Sequence, residues 1–242
     1  MIITSLNNEK IKYLTKLNQK KYRNDTFLVE GKHLVEEAYK KNLVKLLIVL
    51  EDYKLDNVDT IKVSYDVMKK ISLTDTPPKI MAEVIKKEDK KIGNRVIILD
   101  DITDPGNLGT IIRSAVAFNF DTVILSNNTT DLYNPKVIRA TEGMLFNINV
   151  IRDNLLNIIP KLKEEKYFIL GTKVTNGKDI TKYHSINKIA LIMGNETRGM
   201  NNDLDNLCDD YIYIKMNNKC ESLNVGVSAS ILMYELNKWI IY

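Results

Sequence analysis

The segment RVIILD at residues 95–100 constrains the fold most, because it passes through four consecutive apolar residues without polar alternation. A strand of this kind is covered on both faces, as in parallel sheets that are flanked by helices. Further segments with the character of strands follow at 122–126, 167–171, 188–193 and 211–214. Segments with the character of helices lie at 107–118, 135–142, 152–165 and 223–240. This alternation predicts an α/β domain built on a mostly parallel sheet flanked by helices.

The residues before this domain predict a smaller α/β unit. Its helical patterns lie at 7–21, 32–42 and 65–72. Its strand patterns lie at 26–31, 43–50 and 80–86. The segment KKEDKKIGN at 86–94 is highly charged and almost free of apolar residues, which is typical of a linker. We therefore expect two domains, comprising residues 1–88 and 89–242.

The chain of 242 residues carries a net charge of +4, and all of the excess positive charge lies near its N-terminus. Residues 1–50 contain ten Lys or Arg and five Asp or Glu, a balance of +5, whereas the other residues together carry −1. A polyanionic partner for this region is one interpretation, and a solvated lysine surface is the other. The charge alone does not decide between them.

Several classes of protein are excluded or disfavoured. No run of 18 apolar residues predicts a membrane span, and the N-terminal MIITSLNNEKIKYL lacks the apolar stretch of a secretory signal. The two cysteines, Cys208 and Cys220, predict neither a disulfide framework nor a metal site. His33 and His184 are far apart in sequence, and we interpret them as ordinary surface or core side chains. We expect a cytoplasmic protein without a membrane segment and without a bound metal.

Three of the strands in the second domain are followed by unusually polar segments. These segments are DITDPGNLG at 101–109, GNETRGM at 194–200 and KMNNKCESLNVG at 215–226, and they contain five of the ten glycines. Ligands bind at the carboxyl ends of strands in open parallel sheets, and glycine allows a close approach of the backbone. The sequence therefore predicts one binding site that these three segments form together.

Two common nucleotide-binding motifs do not account for these segments. DPGNLG does not match the G-x-G-x-x-G fingerprint of dinucleotide-binding folds. GNETRG matches the beginning of a phosphate-binding loop, but Met200 and Asn201 stand where that motif needs Lys and Ser or Thr. Without the lysine and the hydroxyl, the phosphates lose their cation and Mg²⁺ loses a ligand, so nucleotide hydrolysis is disfavoured.

Asn107 and Arg113 are candidate functional residues in the first polar segment. In a helix that begins near Asn107, the six-residue separation corresponds to about 600° of rotation, so the two side chains would not share one face. If Asn107 lies in the loop, both side chains could enter one cleft. Asn107 could otherwise cap the helix, and Arg113 could form a surface ion pair. The apolar neighbours of Arg113 favour a functional role for it.

The other candidates lie in the second and third segments. Glu196 follows an apolar strand, where a carboxylate needs a donor or a cation, although it could also cap the following helix. Glu221, Ser222 and Asn224 place three polar side chains at the start of the last helix. Ser222 or Asn224 could cap the helix, but capping accounts for only one of the three polar side chains, and the surplus indicates a ligand that forms hydrogen bonds. The predicted buried face of this helix consists of Leu223, Val227, Ile231 and Tyr234.

Together these segments resemble the TrmH-type (SpoU) RNA ribose 2′-O-methyltransferases of the SPOUT superfamily. The resemblance rests on NLGTIIR with its Asn and Arg six residues apart, on GNE, and on SLNVGVSA, at suitable spacing. NPKVIRATEGMLF at 134–146 is similar to a further family segment, and FLVEG at 27–31 with the basic helix before it is similar to a substrate-binding domain. The resemblance extends over nearly the whole chain.

The resemblance implies a C-terminal SPOUT domain with a trefoil knot, preceded by a small L30e-like substrate-binding domain. It also implies S-adenosyl-L-methionine as the methyl donor and a homodimer with its active site close to the dimer interface. The implied cofactor-binding residues are Thr172, Met193, Gly194, Asn195, Ile214, Met216 and Leu223. The implied catalytic residues are Asn107, Arg113, Glu196, Ser222 and Asn224.

The expected reaction is methylation of a ribose 2′-hydroxyl in structured RNA, and the preferred substrate is 23S ribosomal RNA. The basic N-terminal domain would bind this RNA. The alternatives are methylation of transfer RNA and a non-catalytic RNA-binding role on the same fold. The resemblance gives the equivalent of Arg113 the role of a base, whereas a guanidinium with its high pKa is better suited to hold the phosphate or the hydroxyl. Both roles stay open at this point.

Overall fold

The computed structural model describes residues 2–88, 90–175, 177–183 and 186–238. Within these residues the chain forms two compact units. The first comprises Met1–Glu88 with Asp131–Phe146, and the second comprises Asp89–Thr130 with Asn147–Tyr242. His184 lies outside the described residues. No helix in the described part of the chain is both long enough and apolar enough to cross a membrane.

The first unit is a mixed α/β fold, as predicted. Its strands are β1 (Ile2–Ile3), β2 (Thr26–Glu30), β3 (Val44–Val49), β4 (Thr60–Val63) and β5 (Ile80–Ile85). Its helices before the linker are α1 (Glu9–Lys16), α2 (Lys32–Tyr39) and α3 (Tyr65–Ile71), with a 3₁₀ turn at Lys20–Tyr22. The strands form one sheet in the order β1-β4-β3-β5-β2, in which β1, β4 and β3 run parallel and β5 is antiparallel to β3 and β2.

Sequence patterns did not predict β1 and β4, and they predicted one helix at 7–21 where α1 ends at Lys16. Strand β1 has only two residues, which is too short for a period to be read from it. Helix α1 begins after Asn8, whose side chain accepts a hydrogen bond from the backbone N–H of Lys10. Its Ile11 and Leu14 are fully buried against α3 and the sheet.

A segment from the middle of the chain, Asp131–Phe146, packs into the first unit. It contains α5 (Pro135–Ala140), which begins after Asn134 with proline in the first turn. The ring of Tyr133 lies 4.6 Å from that of Phe27, and Asp131 accepts a 2.6 Å hydrogen bond from Arg23. The first unit is therefore not continuous in sequence.

The second unit contains the predicted parallel sheet. Its strands are β6 (Arg95–Leu99), β7 (Thr122–Leu125), β8 (Asn149–Arg152), β9 (Phe168–Thr172), β10 (Ile189–Met193) and β11 (Asp210–Ile212). Its helices are α4 (Pro105–Ala117), α6 (Leu155–Glu164) and α7 (Val225–Asn237), with 3₁₀ turns at Ile180–Tyr183 and Asn202–Leu207. The 3₁₀ turn at Met144–Asn147 lies almost entirely in the first unit. The strand order is β11-β9-β10-β6-β7-β8, and every pair is parallel.

The apolar run that suggested this sheet lies near its centre. Val96, Ile97, Ile98 and Leu99 are fully buried, and β6 pairs with β10 on one side and β7 on the other. Because all six strands are parallel, their carboxyl ends lie along one edge of the sheet. The α/β class is thus confirmed, whereas the trefoil knot stays a prediction.

Two helices of the second unit differ from the sequence prediction in ways that matter for the site. Helix α4 begins at Pro105 with Asp104 as its N-cap, two residues earlier than predicted, so Asn107 lies inside the helix and does not cap it. The predicted buried face of α7 is wrong. Val227, Ile231 and Tyr234 are 46%, 36% and 48% exposed. The buried residues of α7 are Val225, Gly226, Ala229, Leu232, Met233 and Leu236.

Candidate active site

A cavity of about 670 Å³ lies in the second unit, beside the ends of β9, β10 and β11. The second and third polar segments both contribute to its lining, whereas no residue of the first segment does, although the sequence predicted a site that all three form. The predicted residues that line it are Thr172, Met193, Gly194, Asn195, Glu196, Ile214, Met216, Ser222 and Leu223. The parallel topology explains this arrangement, since the loops at the carboxyl ends of strands meet at one edge.

The loop after β10 folds back on itself and forms one wall of the cavity. The backbone N–H of Asn195 donates to the carbonyl of Gly199 at 2.9 Å, and the N–H of Gly199 donates to the carbonyl of Asn195 at 3.0 Å. Gly199 has a φ of +74°, which a glycine adopts without strain. A Cβ atom on Gly194 would lie 2.2 Å from the backbone N of Met200, so only glycine fits there.

A chain of hydrogen bonds links the three polar segments through Asn224, Asn107 and Glu196. The Nδ2 of Asn224 donates to the Oδ1 of Asn107 at 2.9 Å, and the Nδ2 of Asn107 donates to the Oε1 of Glu196 at 3.0 Å. Asn195 also donates to Glu196 at 3.3 Å, and its Nδ2 donates to the carbonyl of Asp101 at 2.8 Å. Side chains up to 117 positions apart in sequence thus form one connected group.

The helix cap at Asn224 determines which groups donate and which accept in this chain of hydrogen bonds. The Oδ1 of Asn224 accepts from the N–H groups of Gly226 and Val227, so Asn224 caps α7 and its amide group is left to donate. Because the amide of Asn224 donates, the Oδ1 of Asn107 must accept, and the amide of Asn107 then points at Glu196. Backbone capping and the orientation of Asn107 are therefore coupled.

The other polar residues before α7 do not cap it. Ser222 is exposed, and its carbonyl accepts from the thiol of Cys220 at 3.2 Å. Glu196 does not cap the following turn either, because Asn201 does so by accepting from the N–H of Asp203. Ser222 and Glu196 are thus available to the cavity that they line.

Arg113 is not joined to this group. Its side chain is exposed, and it has no hydrogen-bond or ion-pair partner among the described residues. Asn107 and Arg113 lie in the same helix six residues apart, so they point in different directions, as the helical geometry predicts. The alternative that Arg113 forms a surface ion pair is therefore not supported in the described part of the chain.

Close packing of α4 against α7 brings the first and third segments together. The hydroxyl groups of Ser114 and Ser230 lie 2.7 Å apart. One turn earlier in each helix, Thr110 faces Gly226, where an added Cβ would lie 3.3 Å from the Cγ2 of Thr110. Small residues at both levels allow the helices to approach, and this contact aligns Asn107 with Asn224.

Sequence reasoning missed a second network behind the loop after β10. Asp101 forms an ion pair with Arg198 and accepts hydrogen bonds from Ser126 at 2.6 Å and Asn128 at 3.2 Å. Desolvation alone would raise the pKa of Asp101, but these hydrogen bonds and Arg198 outweigh it and lower the pKa. Asp101 also has a positive φ of 57°, so its own backbone is in an uncommon conformation.

The neighbouring Asp100 holds the end of the same loop. It is buried, and its Oδ2 accepts from the backbone N–H of Asn201 at 2.7 Å. Burial raises the pKa of Asp100, because desolvation outweighs that hydrogen bond. The sequence signal for both residues was the pair of carboxylates directly after a buried strand, which has no role in a purely apolar core.

A further wall of the cavity contains Lys173, Asp205 and Tyr211. The ammonium group of Lys173 lies 3.6 Å from the centre of the Tyr211 ring, and the Tyr211 hydroxyl donates to Asp205 at 2.6 Å. Burial and the nearby carboxylate raise the pKa of Tyr211, which keeps the phenol protonated. In the described part of the chain, no group of three or more His, Cys, Asp or Glu side chains is placed to hold a metal ion.

Comparison with known proteins gives concordant results for both units. The sequence profile of the SpoU rRNA methylase family matches residues 94–234. The profile of an MRM3-like substrate-binding domain matches residues 8–82. These two matches cover most of the chain, and the residues between them, 83–93, include most of the charged linker.

Individual proteins that resemble the chain along its whole length point the same way. The chain is 37% identical to the 23S rRNA (guanosine(2553)-2′-O)-methyltransferase of Bacillus subtilis (strain 168), over 97% of this chain and 98% of that protein. An AdoMet-bound rRNA methyltransferase from Sinorhizobium meliloti superposes with a TM-score of 0.89 and 26% identity, over 100% and 99% of the two chains. The SpoU methyltransferase AviRb from Streptomyces viridochromogenes, in complex with AdoMet, shares the fold with a TM-score of 0.84 and 24% identity over 96% and 97%.

Proposed function

The chain belongs to the SpoU rRNA methylase family, and from this premise we propose that it transfers a methyl group from S-adenosyl-L-methionine to a ribose 2′-hydroxyl in 23S ribosomal RNA. The observation that carries the proposal is the hydrogen-bonded chain of Asn224, Asn107 and Glu196 at the edge of the cavity. A binding protein without catalysis has no need for polar groups that are oriented in this way.

The cavity has the properties that the methyl donor needs. Its volume of about 670 Å³ lies within the usual range for sites that bind small molecules. The close turn at Gly194 leaves backbone groups exposed to the cavity, and Met193, Met216 and Leu223 supply apolar contacts. When bound, S-adenosyl-L-methionine supplies a methyl group on a positively charged sulfur. We assign its binding to Thr172, Met193, Gly194, Asn195, Ile214, Met216 and Leu223.

We assign the positioning of the ribose to the hydrogen-bonded chain of Asn224, Asn107 and Glu196. Glu196 accepts from Asn107 and Asn195, and this holds the amide of Asn107 in one orientation. Ser222 lines the cavity, and its hydroxyl, which has no partner among the described residues, is placed to bind the acceptor. Holding two reactants in a reactive geometry can lower a barrier by roughly 7–11 kcal/mol, so positioning is an adequate main source of catalysis.

We assign Arg113 a role on the acceptor RNA. Its side chain is exposed, and a guanidinium group has five N–H donors and no acceptor, which disfavours its acting as a base. A protonated guanidinium binds phosphate with a matching fork of donors. We therefore propose that Arg113 holds the phosphate beside the acceptor ribose or the hydroxyl itself.

Ribosomal RNA is the favoured substrate because two similarities agree on it. The relative that is 37% identical is named as a methyltransferase of 23S rRNA, and residues 94–234 match the SpoU rRNA methylase family. We propose that residues 1–88 bind the RNA and residues 89–242 carry out the transfer. A cytoplasmic location is part of this proposal.

We also propose that the protein is a homodimer. Val227, Ile231 and Tyr234 recur at helical spacing on α7, and they are 46%, 36% and 48% exposed. An apolar stripe that faces water is stabilised when a second copy covers it. Ile231→Asp should therefore give monomers in analytical ultracentrifugation, and a monomeric wild-type protein would contradict the dimer.

Label transfer from methyl-tritiated S-adenosyl-L-methionine tests the choice of substrate. Unmodified 23S rRNA and unmodified transfer RNA are incubated separately with the purified protein. We expect label in the 23S rRNA and, with Arg113→Ala, a large loss of that label. Label in transfer RNA alone would favour the alternative substrate, and no label in either would favour the non-catalytic alternative.

A further inference from the structure

The first unit has an aromatic side chain on its surface, surrounded by lysines, for which the assigned catalytic and donor-binding roles have no use. Tyr22 is 39% exposed and lies in the 3₁₀ turn after α1. The ammonium groups of Lys16 and Lys21 lie 5.6 and 4.9 Å from the centre of its ring. We call Lys16, Lys20, Lys21 and Tyr22 the α1 patch. We propose, on the basis of the proposed function, that the α1 patch binds an unpaired nucleotide of the RNA substrate by stacking its base on Tyr22.

The chain on both sides of Tyr22 is held in place. Before it, the amide of Asn18 donates to the carbonyl of Ile71 at 2.7 Å. After it, Arg23 is 8% exposed and donates to Asp131 at 2.6 Å, and its carbonyl accepts from Lys86 at 2.6 Å. A segment that is already ordered loses little conformational entropy on binding.

The charge of the α1 patch is not neutralised by the protein. Lys16, Lys20 and Lys21 have no carboxylate within ion-pair distance among the described residues. On the same helix, Lys12 does have one, since Glu9 lies 2.9 Å away. Three unpaired cations beside one exposed ring favour a partner that carries negative charge and a flat apolar face together.

A nucleotide with an unpaired base matches that description. Proteins recognise single-stranded RNA segments and loops by stacking bases on aromatic side chains, while lysine or arginine neutralises the adjacent phosphates. Base-paired RNA has no free base to stack, so it would use only the lysines. The α1 patch therefore predicts a preference for RNA with an exposed loop over duplex RNA.

Fluorescence anisotropy with the full-length protein tests this preference. The probes are a fluorescein-labelled RNA hairpin with an eight-nucleotide uridine loop and a fully paired duplex of equal length. We expect Tyr22→Ala to weaken binding of the hairpin about tenfold, which is within the range for the loss of one stacked base, and to leave binding of the duplex unchanged. Lys16→Ala with Lys21→Ala should weaken both and reduce the dependence of affinity on salt.

Matched controls separate stacking from a general loss of structure. Tyr22→Phe keeps the ring and should bind the hairpin as wild type does. Tyr65→Ala removes another exposed tyrosine of the first unit, 54% exposed and without a lysine over its ring among the described residues, and should have no effect. Thermal melting of Tyr22→Ala checks that it is folded.

The outcomes for the α1 patch and for the proposed function are distinguishable. If Tyr22→Ala is folded and binds the hairpin as tightly as wild type, the patch is not a stacking site, whatever the methyl-transfer assay gives. Equal weakening of hairpin and duplex would also contradict stacking. If wild type transfers no methyl group to any RNA, the proposed function fails instead.

Discussion

Asn224 has two roles that a single substitution can separate. Its Oδ1 caps α7, and its Nδ2 orients Asn107. Serine is also a good N-cap but has no amide group to donate to Asn107. We expect Asn224→Ser to retain the stability of the protein and to lower the rate of methyl transfer at least about tenfold.

Chemical unfolding and initial rates on the same preparation test this separation. Asn224→Ala is the matched variant, because it loses both roles and should also be destabilised by about 1 kcal/mol. If Asn224→Ser transferred methyl groups at the wild-type rate, capping alone would explain Asn224, and the hydrogen-bonded chain would have no catalytic meaning.

Gly194 is expected to be essential for binding the methyl donor. A Cβ there would lie 2.2 Å from the backbone of Met200, so Gly194→Ala must displace the loop that forms one wall of the cavity. We expect donor affinity to fall roughly 10- to 100-fold. A ligand that binds the native state raises the melting temperature, so the shift caused by added donor should be largely lost.

Gly31→Ala is the control for this experiment. Gly31 belongs to the first unit and does not line the cavity, and its φ of +96° strains an alanine although no atom lies within 4 Å of an added Cβ. This variant should keep the wild-type shift in melting temperature. An equal shift for Gly194→Ala and wild type would show that the Gly194 loop does not form the donor site.

At the residue scale, the sequence predicted members of the site better than it predicted their contacts. Asn224 was one of two candidates for the cap of α7, and the cap is confirmed. The role of Asp104 as the cap of α4 was missed, although Asp followed by Pro is a common helix start. The ion pair of Asp101 with Arg198 joins residues 97 positions apart, and no local pattern indicates such a contact.

At the element scale, the segment around the 3₁₀ turn Ile180–Tyr183 is held to β11 by a backbone hydrogen bond from Lys178 to Tyr211 and by the carboxylate of Asp210. Asp210 accepts from Lys178 and from the Tyr183 hydroxyl, each at 2.6 Å. Desolvation acts to raise the pKa of Asp210, but these hydrogen bonds outweigh it and lower the pKa to about 2. The folded state therefore favours the ionised form of this carboxyl.

The sign of the pH dependence follows from that direction. Because the folded pKa lies below the ordinary value of 3.8, the stabilisation is fully present above that value and is lost as the pH falls towards 2. Asp210→Asn should thus be less stable than wild type at pH 7, and the difference should shrink by about half at pH 3. Urea unfolding at both pH values measures it, and a difference of the same size at pH 3 would contradict this role for Asp210.

Helix α7 shows why the type of an element is easier to predict than its buried face. The helix was predicted from its spacing, but it is apolar nearly all round. Leu232 and Met233 are buried while Ile231 and Tyr234 are exposed. Periodicity cannot choose between two apolar faces, because the choice depends on where α4 packs. Strand β8 was missed because its sequence, NVIR, is short and half polar.

At the scale of the whole molecule, the segment Asp131–Phe146 makes the second unit dependent on the first. Val137, Ile138, Leu145 and Phe146 are at most 5% exposed, and the segment belongs to the first unit. A fragment of residues 89–242 would leave this segment without its packing partners, including Phe27. We expect that fragment to bind a hydrophobic dye and to aggregate.

Co-expression provides the control for the fragment. Residues 1–88 supplied in trans should restore its solubility, because they contain the missing partners of the segment. A fragment of 89–242 that is monomeric and melts as cooperatively as the intact protein would contradict this dependence. The sequence suggested a simple division at residue 88, since nothing in NPKVIRATEGMLF indicates which part of the chain it packs against.

The position of the transferred methyl group tests the central claim most directly. Unmodified 23S rRNA that has received label from the purified protein is digested to nucleosides and analysed by mass spectrometry. The arrangement of Asn107, Glu196 and Asn224 beside the cavity that we propose for the donor predicts label in a single 2′-O-methylated nucleoside. Label on a base, or no labelled nucleoside from a folded protein, would contradict the account.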